Sequence, residues 1–159
     1  MPENETFPMR VKIEINTEEH LCVKGFKAVD YEVKSRWFSG ETKVITYQLE
    51  ELLATKLKGL YQRKKGRDLF DMWLVIKNLN MDIQDMVKTF QKYLEHEGTK
   101  ISRAQFAQNL ARKLSDSNFC NDIKPLLREN DHWDINQASS LVRDSIFPHL
   151  LGDPGKGKL

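Results

Sequence analysis

The chain has 159 residues, of which 30% are charged and 40% hydrophobic, and a formal net charge of +2. That length suits about one domain with its own core, and the composition is that of an ordinary soluble globular protein. No apolar run approaches the roughly 20 residues needed to span a bilayer. No basic stretch followed by an apolar one marks a secretory leader. Cys22 and Cys120 lie far apart without metal-ligand spacing, which fits a reduced cytoplasmic compartment. So small a net charge does not by itself imply nucleic-acid binding, because charge informs only where it clusters.

Met9 to Ile15 alternates, with Met9, Val11, Ile13 and Ile15 on one face and Arg10, Lys12 and Glu14 on the other. Period two over that length predicts a half-buried strand. Val23, Ala28–Val33 and Thr42–Tyr47 are further strand candidates, with turns near Gly25 and Gly40. After Tyr47 the period becomes helical. Leu49, Leu52, Leu53, Leu57 and Leu60 fall on one face, and a basic loop, Gln62–Gly66, ends that helix.

A second helix, Arg67 to Asn78, is apolar almost all round and is expected in the middle of the fold. Asp82 caps the next and Gly98 ends it. Ser102 and Gln105 have capping-box spacing. Phe119 to Leu127 gives a short helix broken near Pro125, and Asp134 caps the last. Strands followed by helices predict an α+β fold: a partial sheet of a few strands over 1–47, a section of five to six helices over 48–151, and a disordered tail over 152–159. A sheet this thin is expected to leave an open edge, which invites a homodimer.

Several residues could carry chemistry. Lys56 lies within the apolar stripe of the first helix, so its ammonium either snorkels to solvent or finds a partner, and such a lysine suits phosphate oxygens. Lys56 to Arg67 holds six basic residues and no acid, a cluster suited to phosphate, nucleic acid or an acidic partner, or else a solvated loop. Asp68 either serves as a first-turn acid or has a further role. Asp71, inside an apolar run, needs a partner, and Arg63 and Arg67 are at hand. Glu14 is either a solvated strand acid or a ligand for Mg²⁺. The four histidines are scattered, so no zinc site is expected. The tail GDPGKGKL lacks the Ser or Thr and the strand–helix context of a phosphate-binding loop.

The strand KIEI (Lys12–Ile15) and the block LEELLATKLKGLYQRKKGRDLFDMW (Leu49–Trp73) together resemble the later motifs of the AbiEii/AbiGii nucleotidyltransferase toxins of type IV toxin–antitoxin and abortive-infection systems. The lysine, the two arginines and the R-D-x-x-D ending carry the resemblance. It implies a nucleotidyltransferase-like fold and transfer of a nucleotidyl group from a nucleoside triphosphate, with Mg²⁺, to RNA or protein. It makes Glu14 the third metal-binding acid, Lys56 the nucleotide-phosphate lysine and Asp68 the late catalytic aspartate. Arg63 and Arg67 would add phosphate-binding charge, and Lys12 and Asp71 would support the motifs.

A Gly-Ser loop and a D-x-D acid pair, which such enzymes carry upstream of KIEI, do not occur in these 159 residues. The expectation is therefore a truncated or split transferase, inactive alone and holding neither Mg²⁺ nor nucleotide by itself. Its expected partners are an antitoxin or a missing N-terminal half. The competing expectation is a non-catalytic helical module that binds nucleic acid or a protein through the basic 56–67 cluster.

Overall fold

The structure is a computed structural model, and it describes residue 13 and residues 21–127 and 132–152. Two antiparallel strands, β1 (Phe26–Lys34) and β2 (Ser39–Tyr47), precede six helices: α1 (Leu49–Gln62), α2 (Gly66–Asn78), α3 (Ile83–His96), α4 (Arg103–Leu114), α5 (Ser117–Asn121) and α6 (Ile135–Ile146). Short 3-10 turns follow α5 and α6 at Lys124–Leu126 and Phe147–His149. This is an α+β chain, with the change from sheet to helix between Tyr47 and Leu49.

The register of the hairpin pairs Phe26 with Tyr47 and Asp30 with Lys43. Its turn falls at Ser35–Phe38, just before Gly40. The Ser35 hydroxyl accepts from the Trp37 and Phe38 amides, and the Ser35 amide donates to the Phe38 carbonyl at 2.9 Å. Gly40 lies inside β2 because the Phe38 ring folds over it, where a Cβ would come within 2.8 Å. Gly25 turns the chain into β1 at a φ of +79°, a conformation glycine adopts without a Cβ penalty. Among the described residues the hairpin's contacts are overwhelmingly with itself, and Val29, Tyr31, Phe38, Val44 and Ile45 are exposed.

The helices bury a single core. Leu53, Leu57 and Leu60 of α1 meet Leu69 and Met72 of α2, Met86 and Phe90 of α3, Phe106 of α4, Phe119 of α5 and Val142 and Ile146 of α6. Burying a side chain of this size contributes roughly 1.5–3 kcal/mol. The helix starts follow local chemistry. Asp82, Asp116 and Asp134 each accept backbone N–H groups of the first turn, and Ser102 with Gln105 forms a complete capping box.

Two expectations change. The helix read as apolar almost all round and central to the fold, α2, buries one face through Gly66, Asp68, Leu69 and Met72, while Leu74 is 42% exposed. Phe70, Trp73 and Trp133 form a half-buried aromatic cluster on another side of it. Val23 is not in a strand, because its amide goes to a side chain of α1. Of the expected strand Met9–Ile15 only Ile13 lies among the described residues, and it is exposed. The tail beyond Gly152 also lies outside them.

Candidate functional site

The candidate site is the crossing of α1 and α2, where the sequence block from Leu49 to Trp73 folds back on itself. Helix α1 ends because Arg63 turns extended, with its amide still bonded to the Gly59 carbonyl at 2.8 Å. The Arg63 side chain then lies back along α1. A Cβ on the buried Gly59 would come within 2.7 Å of the guanidinium, so glycine makes that path available. The guanidinium donates to both oxygens of Asp68, at 2.9 and 3.1 Å.

Asp68 sits in the first turn of α2, where the positive helix end favours an acid, and its side chain is only 1% exposed. Burial raises its pKa from the ordinary carboxylate value, against the opposing pull of Arg63 and then Lys56.

One turn further along α2, the Asp71 carboxylate takes the Lys56 ammonium of α1 at 2.7 Å. The expected partners of Asp71, Arg63 and Arg67, are engaged elsewhere. Arg63 holds Asp68, and Arg67 holds Asp122, whose two oxygens it reaches at 3.0 and 3.1 Å. The reason is geometric: Lys56 faces α2 from a neighbouring helix, whereas Arg67 points toward α5. Lys56 and Asp71 both act on the Asp68 charge, so Lys56, Arg63, Asp68 and Asp71 form one electrostatic cluster. Lys56 and Asp71 are each about one-third exposed, at 34% and 38% of their side chains.

The rest of the basic block is also neutralised locally. Lys58 pairs with Glu97, Lys64 with Asp116 and Lys65 with Asp122. Each of the six basic residues from Lys56 to Arg67 therefore has a carboxylate within 4.0 Å, and the block is a lattice of pairs rather than a bare positive patch. The sequence hides this, because Glu97, Asp116 and Asp122 are 30 or more positions away.

Three further residues shape the site without having been legible beforehand. Lys113, at the end of α4 and nearly buried, donates to the Leu60 carbonyl and, at 2.6 Å, to the Tyr61 carbonyl, closing the last turn of α1. Burial pushes its pKa down to about 8, against the attraction of Asp68. Gly66, at the start of α2, lies so close to α5 that a Cβ would sit 2.1 Å from the Phe119 carbonyl oxygen. Glu51, fully buried in the first turn of α1, accepts from the Val23 and Lys24 amides and from the Tyr93 hydroxyl. The signal available for Glu51 was an acid within an apolar helix stripe five positions before Lys56.

Lys12 and Glu14 lie outside the described residues. Among the described residues no group of three or more His, Cys, Asp or Glu side chains could hold a metal ion. The two acids of the site are each matched to a cation, Asp68 to Arg63 and Asp71 to Lys56. That donor set does not fit Mg²⁺, which takes carboxylate oxygens free of competing cations. No helix among the described residues is long and apolar enough to cross a membrane.

A family model described as "Nucleotidyl transferase AbiEii toxin, Type IV TA system" matches residues 4–140. No curated protein and no solved structure matches the chain. The matched span contains both the KIEI segment (Lys12–Ile15) and the whole α1–α2 crossing. On that match, the chain belongs to the AbiEii nucleotidyltransferase toxin family of type IV toxin–antitoxin systems.

Proposed function

We propose that these residues supply the phosphate-holding and late-acid part of a nucleotidyltransferase that moves a nucleotidyl group from a nucleoside triphosphate to RNA or protein. The observation that carries this reading is the cluster of Lys56, Arg63, Asp68 and Asp71 at one helix crossing. Lys56 is paired yet partly exposed, so a phosphate oxygen can replace the Asp71 carboxylate at little cost to the fold. Arg63 offers a planar fork suited to a second phosphate oxygen, with Arg67 adding positive charge at the start of α2. Release of Arg63 frees the Asp68 carboxylate, whose raised pKa suits it to accept a proton from an attacking hydroxyl. Lys12 and Asp71 support these motifs.

Glu14 is the acid this reading assigns to Mg²⁺. One such acid offsets little of the charge of a cation and a triphosphate, so the 159-residue polypeptide by itself is inactive and holds neither. An antitoxin is the partner that membership of the family supports, in the cytoplasm. Self-association through the exposed apolar face of the hairpin is a second contact, and light scattering that finds a monomer removes it. The reading itself is tested by incubating the purified polypeptide with each labelled nucleoside triphosphate, Mg²⁺, and RNA or protein acceptors. No incorporation is expected, and robust turnover refutes the inactivity.

The second reading is a non-catalytic module that binds RNA through the 56–67 cluster. Lys64 and Lys65 favour it, being 72% and 53% exposed despite their acid partners. Reversing the charges of Arg63, Lys64 and Lys65 should then abolish a salt-dependent RNA affinity. An affinity unchanged by the reversal eliminates the module.

A further inference from the structure

We infer that helix α5 is a built-in competitor for phosphate: Asp116 and Asp122, the residues that flank it, hold Lys64, Lys65 and Arg67 and so lower the affinity of the basic block for a chain of phosphates. This regulation rests on the two readings above, both of which bring phosphate to the block.

A helix start attracts anions, because its first N–H groups lack partners within the helix and the dipole is positive there. At α2 the preceding residue, Lys65, has no side-chain oxygen to offer and makes no cap. An acid from beyond α5 takes that place. The Asp122 carboxylate accepts from the Arg67 amide at 3.2 Å and from Nε and Nη2 of the Arg67 guanidinium at 3.0 and 3.1 Å. The Lys65 ammonium lies 3.9 Å from the same carboxylate. At the other end of α5, Asp116 takes the Lys64 ammonium at 3.3 Å while accepting the Asn118 and Phe119 amides. The Arg67 fork holds the Asp122 carboxyl below the usual carboxylate range, and the Phe119 amide, then Lys64, does the same for Asp116. Both acids are therefore charged whenever the bases are.

The arrangement is fixed from below. Helix α5 comes this close to α2 because residue 66 is glycine, where a Cβ would lie 2.1 Å from the Phe119 carbonyl oxygen. Phe119 and Ile123 are buried, so α5 does not swing out as a lid without uncovering them. The acids also lie beneath the bases. The side chains of Asp116 and Asp122 are 27% and 13% exposed, whereas those of Lys64, Lys65 and Arg67 are about half exposed or more. A phosphate chain thus meets the cations from outside and draws them off acids that stay in place. Each acid keeps a backbone N–H partner when its cation leaves, so the exchange needs side-chain rotation and no opening of the backbone. Exposed pairs are individually weak, which makes α5 a damper on binding rather than a lock.

The test uses the full 159-residue polypeptide and two double variants. Asp116→Asn with Asp122→Asn removes the competing charge and keeps the capping oxygens. Asp30→Asn with Glu32→Gln removes the same charge from the hairpin. The probes are a labelled oligouridylate with a 5′ hydroxyl, read by fluorescence anisotropy, and tripolyphosphate, read by calorimetry. The α5 variant is expected to bind at least one of them roughly fivefold or more tightly than the hairpin variant does. Tightening for oligouridylate alone assigns the block to an RNA backbone, and for tripolyphosphate alone to a nucleoside triphosphate. Equal affinities in the two variants, or no binding of either probe by the α5 variant, overturn the competitor. Should the α5 variant fail to fold by circular dichroism, Asp116→Asn against Asp30→Asn carries the same expectation at smaller size. Binding that survives charge reversal at Arg63, Lys64 and Lys65 overturns the shared reading that phosphate meets this block. Binding lost on that reversal, yet equal in the α5 and hairpin variants, overturns the competitor alone.

Discussion

The Lys56 ammonium of α1 and the Asp71 carboxylate of α2 meet at 2.7 Å across the crossing that the family match encloses. The pair is partly exposed, and such pairs contribute about 0–1 kcal/mol. Lys56→Met is therefore expected to lower unfolding free energy by less than about 1 kcal/mol in urea titration. A double-mutant cycle with Asp71→Asn should give a coupling of the same small size. A loss of several kcal/mol would make Lys56 a structural residue rather than one held ready for a ligand.

Asp68 behaves oppositely to most paired acids. Burial raises its folded-state pKa, so the folded chain binds its proton more readily than the unfolded chain does. Stability therefore falls as pH rises from the ordinary carboxylate range through the raised value. Asp68→Asn removes that loss and keeps an acceptor for Arg63. Its melting temperature at neutral pH should be unchanged or higher, with a flatter pH dependence just above about pH 4. A marked fall in melting temperature would show that the charged form stabilises the fold.

Lys113 gives a second pH signature. Its folded-state pKa of about 8 lies below the ordinary value of 10.5, so the unfolded chain holds the proton over a window in which the folded chain has lost it. Stability contributed through this group rises with pH across that window and is flat below it. Lys113→Met should abolish the rise. At pH 7 it should also cost about 1–3 kcal/mol, because the Leu60 and Tyr61 carbonyls lose their donor. Thermal melts from pH 7 to 10.5 check both.

Gly66 is a steric prediction. A Cβ there would overlap the Phe119 carbonyl, which belongs to backbone and cannot swing aside. Gly66→Ala is expected to cost about 1–3 kcal/mol in chemical denaturation, the usual range for overpacking. A neutral substitution would mean that α5 yields.

The helices were readable because their signals are local. The caps at Asp82, Ser102 and Asp134 lie within three residues of the groups they satisfy, and the Leu53–Leu57–Leu60 stripe needs only a period. The α2 expectation failed for a related reason. Composition counts apolar residues, but burial depends on neighbours, and the described residues leave Leu74 42% exposed.

The site was half legible. Lys56, Arg63, Asp68 and Asp71 follow from their spacing, but which base meets which acid depends on the angle between α1 and α2. The partners of Lys113 and Glu51 were not legible because they come from elsewhere in the chain: backbone carbonyls 52 or 53 positions away for Lys113, and for Glu51 backbone amides 27 or 28 positions away and the Tyr93 hydroxyl.

Among the described residues the two-stranded ribbon shares almost no packing with the helices, so little energetic coupling joins it to them. Its ladder bonds, rather than the common core, must resist thermal fraying, and a two-stranded ribbon alone is marginal in water. The ribbon should consequently melt as a separate early step, ahead of the all-or-none loss of the bundle.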